Sequence, residues 1–240
     1  MKPTINVFPS IEAIAEAVAG MFIELLRKPG EELIHIALSG GNTPKVIFNY
    51  LNKTYGNKLT DNRFHFWWGD DRCVPPSNDE SNYKWAYEQW LQPIGIAEGN
   101  LHRIKGENDP EQEVIRYAEE MKKWMRTTNG FPVIDLNLLG LGEDGHTASI
   151  FPHNMALLNS ERWCAVATHP TSEQKRITLT GKVLNNSEKV IFITTGAGKA
   201  EMIKNVAIEA NPEYPASHIK PASGEALWLI DRQAALYCTD

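Results

Sequence analysis

Short apolar runs alternate along the chain with longer stretches in which apolar residues recur every three or four positions. Leu33–Leu38, Phe64–Trp68, Ile134–Leu139, Lys189–Thr194 and Ala226–Ile230 are too short for helices and rich in β-branched or aromatic residues, so they predict buried strands. The helical pattern covers Ile11 to about Arg27, with Ser10 as N-cap and Pro29-Gly30 as terminator, and Pro44–Leu51, with Pro44 in its first turn. It recurs over Ser81–Leu91, Glu111–Arg126, Lys199 to about Glu209, and a short helix from Arg232. No internal repeat, low-complexity tract or Gly/Ser linker interrupts the series, which predicts a single domain over residues 1–240. Strand-then-helix alternation predicts an α/β chain with a largely parallel, doubly wound sheet. Such sheets bind ligands at the carboxyl ends of their strands, and the unusual residues gather at those ends.

Ser39-Gly40-Gly41-Asn42-Thr43-Pro44 lies between a strand and a helix. Its glycines let backbone N–H groups approach an anion, and the helix terminus adds partial positive charge. From this hexapeptide alone, a phosphate site and an ordinary glycine turn both remain open. Gly69-Asp70-Asp71-Arg72 follows the Trp67-Trp68 strand end. Arg72 is a cation able to grip phosphate, with Asp70 and Asp71 placed to hold it or to meet sugar hydroxyls, against the plainer reading of a solvated loop. In Gly140-Leu141-Gly142-Glu143-Asp144-Gly145-His146-Thr147-Ala148-Ser149-Ile150-Phe151-Pro152, a histidine is presented on a glycine-flanked loop, where a side chain with an ordinary pKa of about 6.5 suits proton transfer. His35 and His65 lie inside strands as core histidines, and His102, His153, His169 and His218 have no comparable setting. A second glycine turn, Thr195-Gly196-Ala197-Gly198-Lys199, places Lys199 at a helix start, and Arg176 is a third candidate cation. Neither a Walker loop nor GxGxxG is present.

Composition narrows the options. A net charge of −6 over 240 residues disfavours a general nucleic-acid binder while leaving room for a locally bound phosphate. The three cysteines are dispersed, and no His/Cys cluster has metal-ligand spacing, so no metal site and no cofactor are expected. Met1-Lys2-Pro3-Thr4 lacks a signal-peptide core and no apolar run spans a bilayer, which gives a cytoplasmic expectation without membrane contact.

Taken together, SGGNTP (39–44), DDRCVP (70–75), GLGEDGHTASIFP (140–152), RITLT (176–180) and GAGKA (196–200) resemble the 6-phosphogluconolactonase family, within the larger glucosamine-6-phosphate isomerase/deaminase-like superfamily. The resemblance implies a Rossmann-like three-layer α/β/α sandwich without a dinucleotide site. It implies hydrolysis of 6-phospho-D-glucono-1,5-lactone to 6-phosphogluconate, the second step of the oxidative pentose phosphate pathway, with glucose-6-phosphate dehydrogenase as functional neighbour. The family's catalytic histidine falls on His146, and its phosphate and sugar contacts fall on Gly40, Gly41, Asn42, Thr43, Asp70, Arg72, Arg176 and Lys199. Asp71 stands where the family commonly has Glu. On this reading His146 is a general base toward water, Asp144 orients it, and N–H groups near Gly142 or Gly145 stabilise the oxyanion. Ser149 is the competing nucleophile, but it lacks a GxSxG elbow. Two rivals remain: a glucosamine-6-phosphate deaminase, with Asp70 or Asp71 as carboxylate base, and a phosphosugar sensor without turnover.

Overall fold

The computed structural model describes residues 3–221 and 224–238. Its strands are β1 (Thr4–Phe8), β2 (Ile34–Leu38), β3 (Phe64–Trp68), β4 (Asp70–Arg72), β5 (Leu101–His102), β6 (Thr127–Thr128), β7 (Phe131–Pro132), β8 (Leu136–Leu139), β9 (Cys164–Thr168), β10 (Lys175–Leu179), β11 (Lys189–Thr194) and β12 (Glu225–Asp231). The helices are α1 (Ile11–Leu26), α2 (Asn42–Tyr55), α3 (Asn82–Ala86), α4 (Pro110–Trp124), α5 (Gly181–Asn185) and α6 (Ala200–Ile203). Met1 and Lys2, part of the N-terminal stretch considered above, lie outside the described residues.

Seven strands form one sheet in the order β1-β12-β11-β8-β2-β3-β5, and every pairing in it is parallel. The α/β class and the parallel sheet are as the hydrophobic pattern predicts. β2 and β3 are buried at all five positions, because helices cover both faces of a parallel sheet. On β3 the alternation separates two cores. Phe64 and Phe66 meet Phe22 of α1 and Trp90, while His65 and Trp67 face α4 through Trp124 and Tyr117.

Element boundaries follow capping chemistry. The Ser10 hydroxyl accepts from Ala13 N–H at 3.3 Å and opens α1. α2 begins at Asn42, two residues before the expected Pro44, with Gly41 as N-cap at φ +111° and no side-chain cap. α3 and α6 each continue as a π-helical turn, Tyr87–Leu91 and Lys204–Ile208. The expected helix from Arg232 is a run of turns. There the Asp231 carboxylate accepts from Ala234 N–H at 2.7 Å, and Cys238 N–H closes on Ala235.

One feature had no signature in the hydrophobic pattern. β4, β10 and β9 form a separate antiparallel sheet, in which Arg176 pairs with Arg72 and Thr178 with Asp70. It is sewn to the main sheet at Gly69, whose N–H donates to Leu38 (2.9 Å) and whose carbonyl accepts from Leu179 N–H (2.8 Å).

Candidate active site

The direction of winding reverses between β2 and β8: β2, β3 and β5 proceed one way from that junction, and β8, β11 and β12 the other. Ligands in open α/β sheets bind in the crevice above such a switch point. Here the crevice is walled by the glycine loop after β2 and the His146 loop after β8. Thr43 Oγ1 and Thr195 Oγ1, 2.8 Å apart, tie the β2 loop to the loop after β11.

The His146 loop is closed on itself. Gly142 N–H donates to the His146 carbonyl (2.8 Å), Gly145 N–H to the Gly142 carbonyl (3.2 Å), and Thr147 Oγ1 to the Gly140 carbonyl (3.0 Å). Asp144 Oδ1 takes both the backbone N–H of His146 (3.2 Å) and its Nδ1 (2.5 Å). A proton on Nδ1 leaves the lone pair on Nε2. Half-burial pushes the Asp144 carboxyl up, but hydrogen bonding and charge interaction with the His146 ring, with backbone N–H donation added, hold it below the ordinary aspartate value. Gly142 is demanded by close approach: a Cβ there would lie 2.1 Å from His146 Nδ1. The Gly142 and Gly145 N–H groups are themselves consumed inside the loop, so an oxyanion donor near them would be another amide of the segment, such as that of Glu143. Donors also stand open at the uncapped N-terminus of α2, from Gly41 to Thr43.

Beyond β3 lies a cationic wall. Arg176 is nine-tenths buried, its guanidinium stands 5.6 Å above the Phe151 ring, and the Nε atoms of Arg176 and Arg72 are both buried without a hydrogen-bond partner. Among the described residues neither guanidinium has a carboxylate partner at ion-pair distance. Arg72 instead donates through Nη1 to the Glu80 carbonyl at 2.6 Å. Burial, and then the Arg72 charge beside it, pull Arg176 below the ordinary arginine pKa. Lys45, which the sequence reading did not single out, adds a third cation. Its Nζ rests 3.7 Å from the Trp85 ring centroid, and burial followed by Arg72 lowers its pKa. Two unneutralised guanidiniums in a half-dry wall are a standing demand for an anion.

Lys199 lies on the opposite flank, at the end of β11, with Nζ 3.8 Å from Glu143 Oε1. Its turn is anchored by Gly196 N–H, which donates to both Asp231 carboxylate oxygens at 3.0 and 3.2 Å. Asp70 and Asp71 hold internal hydrogen bonds in this geometry. Asp70 accepts from the Ser149 hydroxyl at 2.7 Å and from Asn82 Nδ2 at 3.4 Å. Asp71 does not reach the Arg72 guanidinium; it takes the N–H groups of Arg72, Asn82 and Tyr83 and the Ser81 hydroxyl. Ser149 donates its hydroxyl proton to Asp70 Oδ2 and is fully buried, which leaves it no open face toward a ligand. Gly40 is needed because a Cβ would stand 1.7 Å from Asn82 Oδ1. His35 and His65 are core histidines, as expected. Trp67 Nε1 donates to His35 Nδ1 (3.2 Å), and His65, His102 and Glu120 form a buried chain with links of 2.8 and 2.7 Å.

Residues 9–228 match the family model described as glucosamine-6-phosphate isomerases/6-phosphogluconolactonase. The chain is 39% identical over 232 residues to a 6-phosphogluconolactonase of Haemophilus influenzae, covering 95% of this chain and 96% of that protein. It is 36% identical over 210 residues to one from Treponema pallidum, covering 88% and 86%. Among solved structures, the devB protein superposes with a TM-score of 0.93 at 38% identity, covering 98% of this chain and 99% of that one. A monomeric glucosamine-6-phosphate deaminase superposes with a TM-score of 0.80 at 20% identity, covering 97% and 98%, a likeness of fold.

Proposed function

The chain belongs to the glucosamine-6-phosphate isomerase/6-phosphogluconolactonase family, and on that premise we propose that it is an enzyme that hydrolyses 6-phospho-D-glucono-1,5-lactone to 6-phosphogluconate, with His146 as general base. The observation that carries the reading is the 2.5 Å contact of His146 Nδ1 with Asp144. It commits the imidazole to one tautomer and leaves Nε2 to accept a proton.

Nε2 takes a proton from water as the water oxygen forms its bond to C1 of the lactone. The carbonyl oxygen becomes an oxyanion, and the open N–H groups of Gly41–Thr43 and Lys199 supply positive potential at this end of the crevice. When the tetrahedral intermediate collapses, the C1–ring-oxygen bond breaks and the proton passes from Nε2 to the ring oxygen. His146 returns to its starting state, and one water has been added. The imidazolium formed midway is stabilised by Asp144, which stays ionised because its pKa is held down. A lactone ester needs neither a covalent nucleophile nor a Lewis acid for this step. Arg72 and Arg176, with Lys45 beside them, hold the phosphate, and that remote binding energy orients C1.

The deaminase alternative needs a free carboxylate base over C2 of the sugar. Asp70 and Asp71 are its candidates, and both are spent on internal hydrogen bonds. The test is lactone hydrolysis with substrate generated in situ and spontaneous opening subtracted, run beside ammonia release from glucosamine 6-phosphate. Hydrolysis above background without ammonia is expected; the reverse overturns the proposal. Tight 6-phosphogluconate binding with no turnover identifies a sensor.

A further inference from the structure

The turn between β9 and β10 carries a histidine for which the sequence gives no distinguishing setting. His169 N–H donates to the Gln174 carbonyl (2.9 Å), and Glu173 N–H returns to the His169 carbonyl (3.0 Å), closing the hairpin. Two further amides converge on the imidazole: Thr171 N–H and Ser172 N–H point at Nδ1 at 3.3 and 3.2 Å. A nitrogen that accepts two N–H groups cannot carry a proton itself. His169 is therefore held neutral, with its single proton on Nε2. Burial and then the facing charge of Arg176 lower its pKa in the same sense; His146 and Arg72 add to this and Asp144 opposes it.

The ring stands edge-on to Phe151 at 5.3 Å. Phe151 is fully buried and also supports the His146 ring at 4.6 Å and the Arg176 guanidinium at 5.6 Å. One rigid aromatic post thus sets the base, the buried cation and this third group around a common centre. Among the described residues, His169 Nε2 has no hydrogen-bond partner.

We propose that His169 is a ligand-binding residue whose Nε2–H donates to an oxygen of the phosphate held by Arg176, and so helps the site favour a phosphorylated lactone over an unphosphorylated one. The inference rests on the lactonase reading for its substrate. A neutral donor suits this position: it adds a hydrogen bond to the anion without placing a further full charge beside Arg72, Arg176 and Lys45.

Two variants separate ligand binding from turn-building. His169→Asn keeps an acceptor near the Nδ1 position for the Thr171 and Ser172 amides and loses the distal donor. His169→Gln keeps an N–H near the Nε2 position and loses the acceptor. The expected order is a roughly tenfold rise in KM for the phosphorylated lactone, and in Kd for 6-phosphogluconate, in the Asn variant. kcat stays near parental, and so does kcat/KM on D-glucono-1,5-lactone. The Gln variant stays within about threefold of the parent. Gln impaired with Asn parental would mean the imidazole only builds the turn, and the proposal fails. Equal losses on both lactones, or no loss in either variant, also overturn it. If the parent hydrolyses neither lactone, the lactonase reading fails by itself, and calorimetric titration of 6-phosphogluconate into the two variants still decides His169.

Discussion

The two walls of the crevice are assembled on different scales. Around His146, the bonds within the loop join residues no farther apart than Thr147 and Gly140. Across the crevice, Arg72 and Arg176 become neighbours only because β4 and β10 pair antiparallel, two segments separated by α3, α4 and the whole His146 loop. Among the described residues, no buried side-chain nitrogen or oxygen of the first wall lacks a partner. The second leaves two buried guanidinium nitrogens unpartnered. On the proposed reading, catalytic geometry is a local property of chain and turn, whereas anion affinity is stored by the tertiary fold as unmet electrostatic demand.

The sharpest way to break this division is His146→Asn. General acid–base contributions are about 10²–10⁴-fold, so kcat should fall by that order while calorimetric affinity for 6-phosphogluconate stays near parental. Near-normal turnover would return the chemistry to other residues. Gly142→Ala attacks the same wall without touching a titratable group. Its Cβ would displace the imidazole by an ångström or so, a misplacement worth about 10²-fold in rate, with ligand affinity again preserved. A variant with unchanged kcat would show that the loop adapts and that its tight closure is not the source of the geometry.

On the cationic wall the signs differ. Arg176→Met should cost 6-phosphogluconate binding about 1.5–3 kcal/mol, the value of a charged hydrogen bond. The unliganded fold should gain about 1 kcal/mol by losing an unpaired buried charge. Calorimetry and thermal unfolding on one sample read both effects, and a destabilised variant contradicts the unmet-demand account. Arg72→Ala should weaken binding in the same range, and so should Lys199→Ala, across the crevice, through the loss of its charge. The smallest effect concerns the core beneath the walls. Burial, then the charges of His65 and His102, takes His35 down to about 3, and burial followed by His102 takes His65 to about 4. Both are protonated more readily unfolded than folded. Their stabilisation is therefore complete above the ordinary value of about 6.5 and is lost as pH falls toward 4 and 3. From pH 7 to 5.5, His35 alone should cost about 1 kcal/mol, a drop in Tm of about 2–4 °C. A flat Tm over that interval would refute the neutral buried assignment.

The same division of scale explains what was legible in the sequence. Periodicity located the central strands because a parallel sheet covered on both faces needs unbroken apolar runs, as in Phe64–Trp68. The proposed base was legible because its setting is a contiguous glycine-flanked segment. β9 and β10 went unassigned: Lys175–Leu179 mixes polar and apolar residues, and of its two partner strands β4 is distant in the chain. Lys45 and His169 were missed for a related reason. A lysine after a proline and a histidine in a turn carry no local signal, and what distinguishes them is the Trp85 face and the Phe151 ring that tertiary packing brings alongside. The carboxylates ran the other way. Asp70 and Asp71 look reactive in sequence, yet Ser149, Ser81 and backbone amides absorb them.

The closure of the His146 loop also bears on descent. On the proposed reading, a base oriented by a carboxylate two residues away is inherited as a single word of sequence, and insertions, helix swaps or drift elsewhere leave its grammar intact. The anion-holding wall has no such protection, since any change in the pairing of β4 with β10 re-aims it. Yet the family itself joins glucosamine-6-phosphate isomerases to 6-phosphogluconolactonases, so on this scaffold the reaction changes while a phosphorylated sugar stays in the grip.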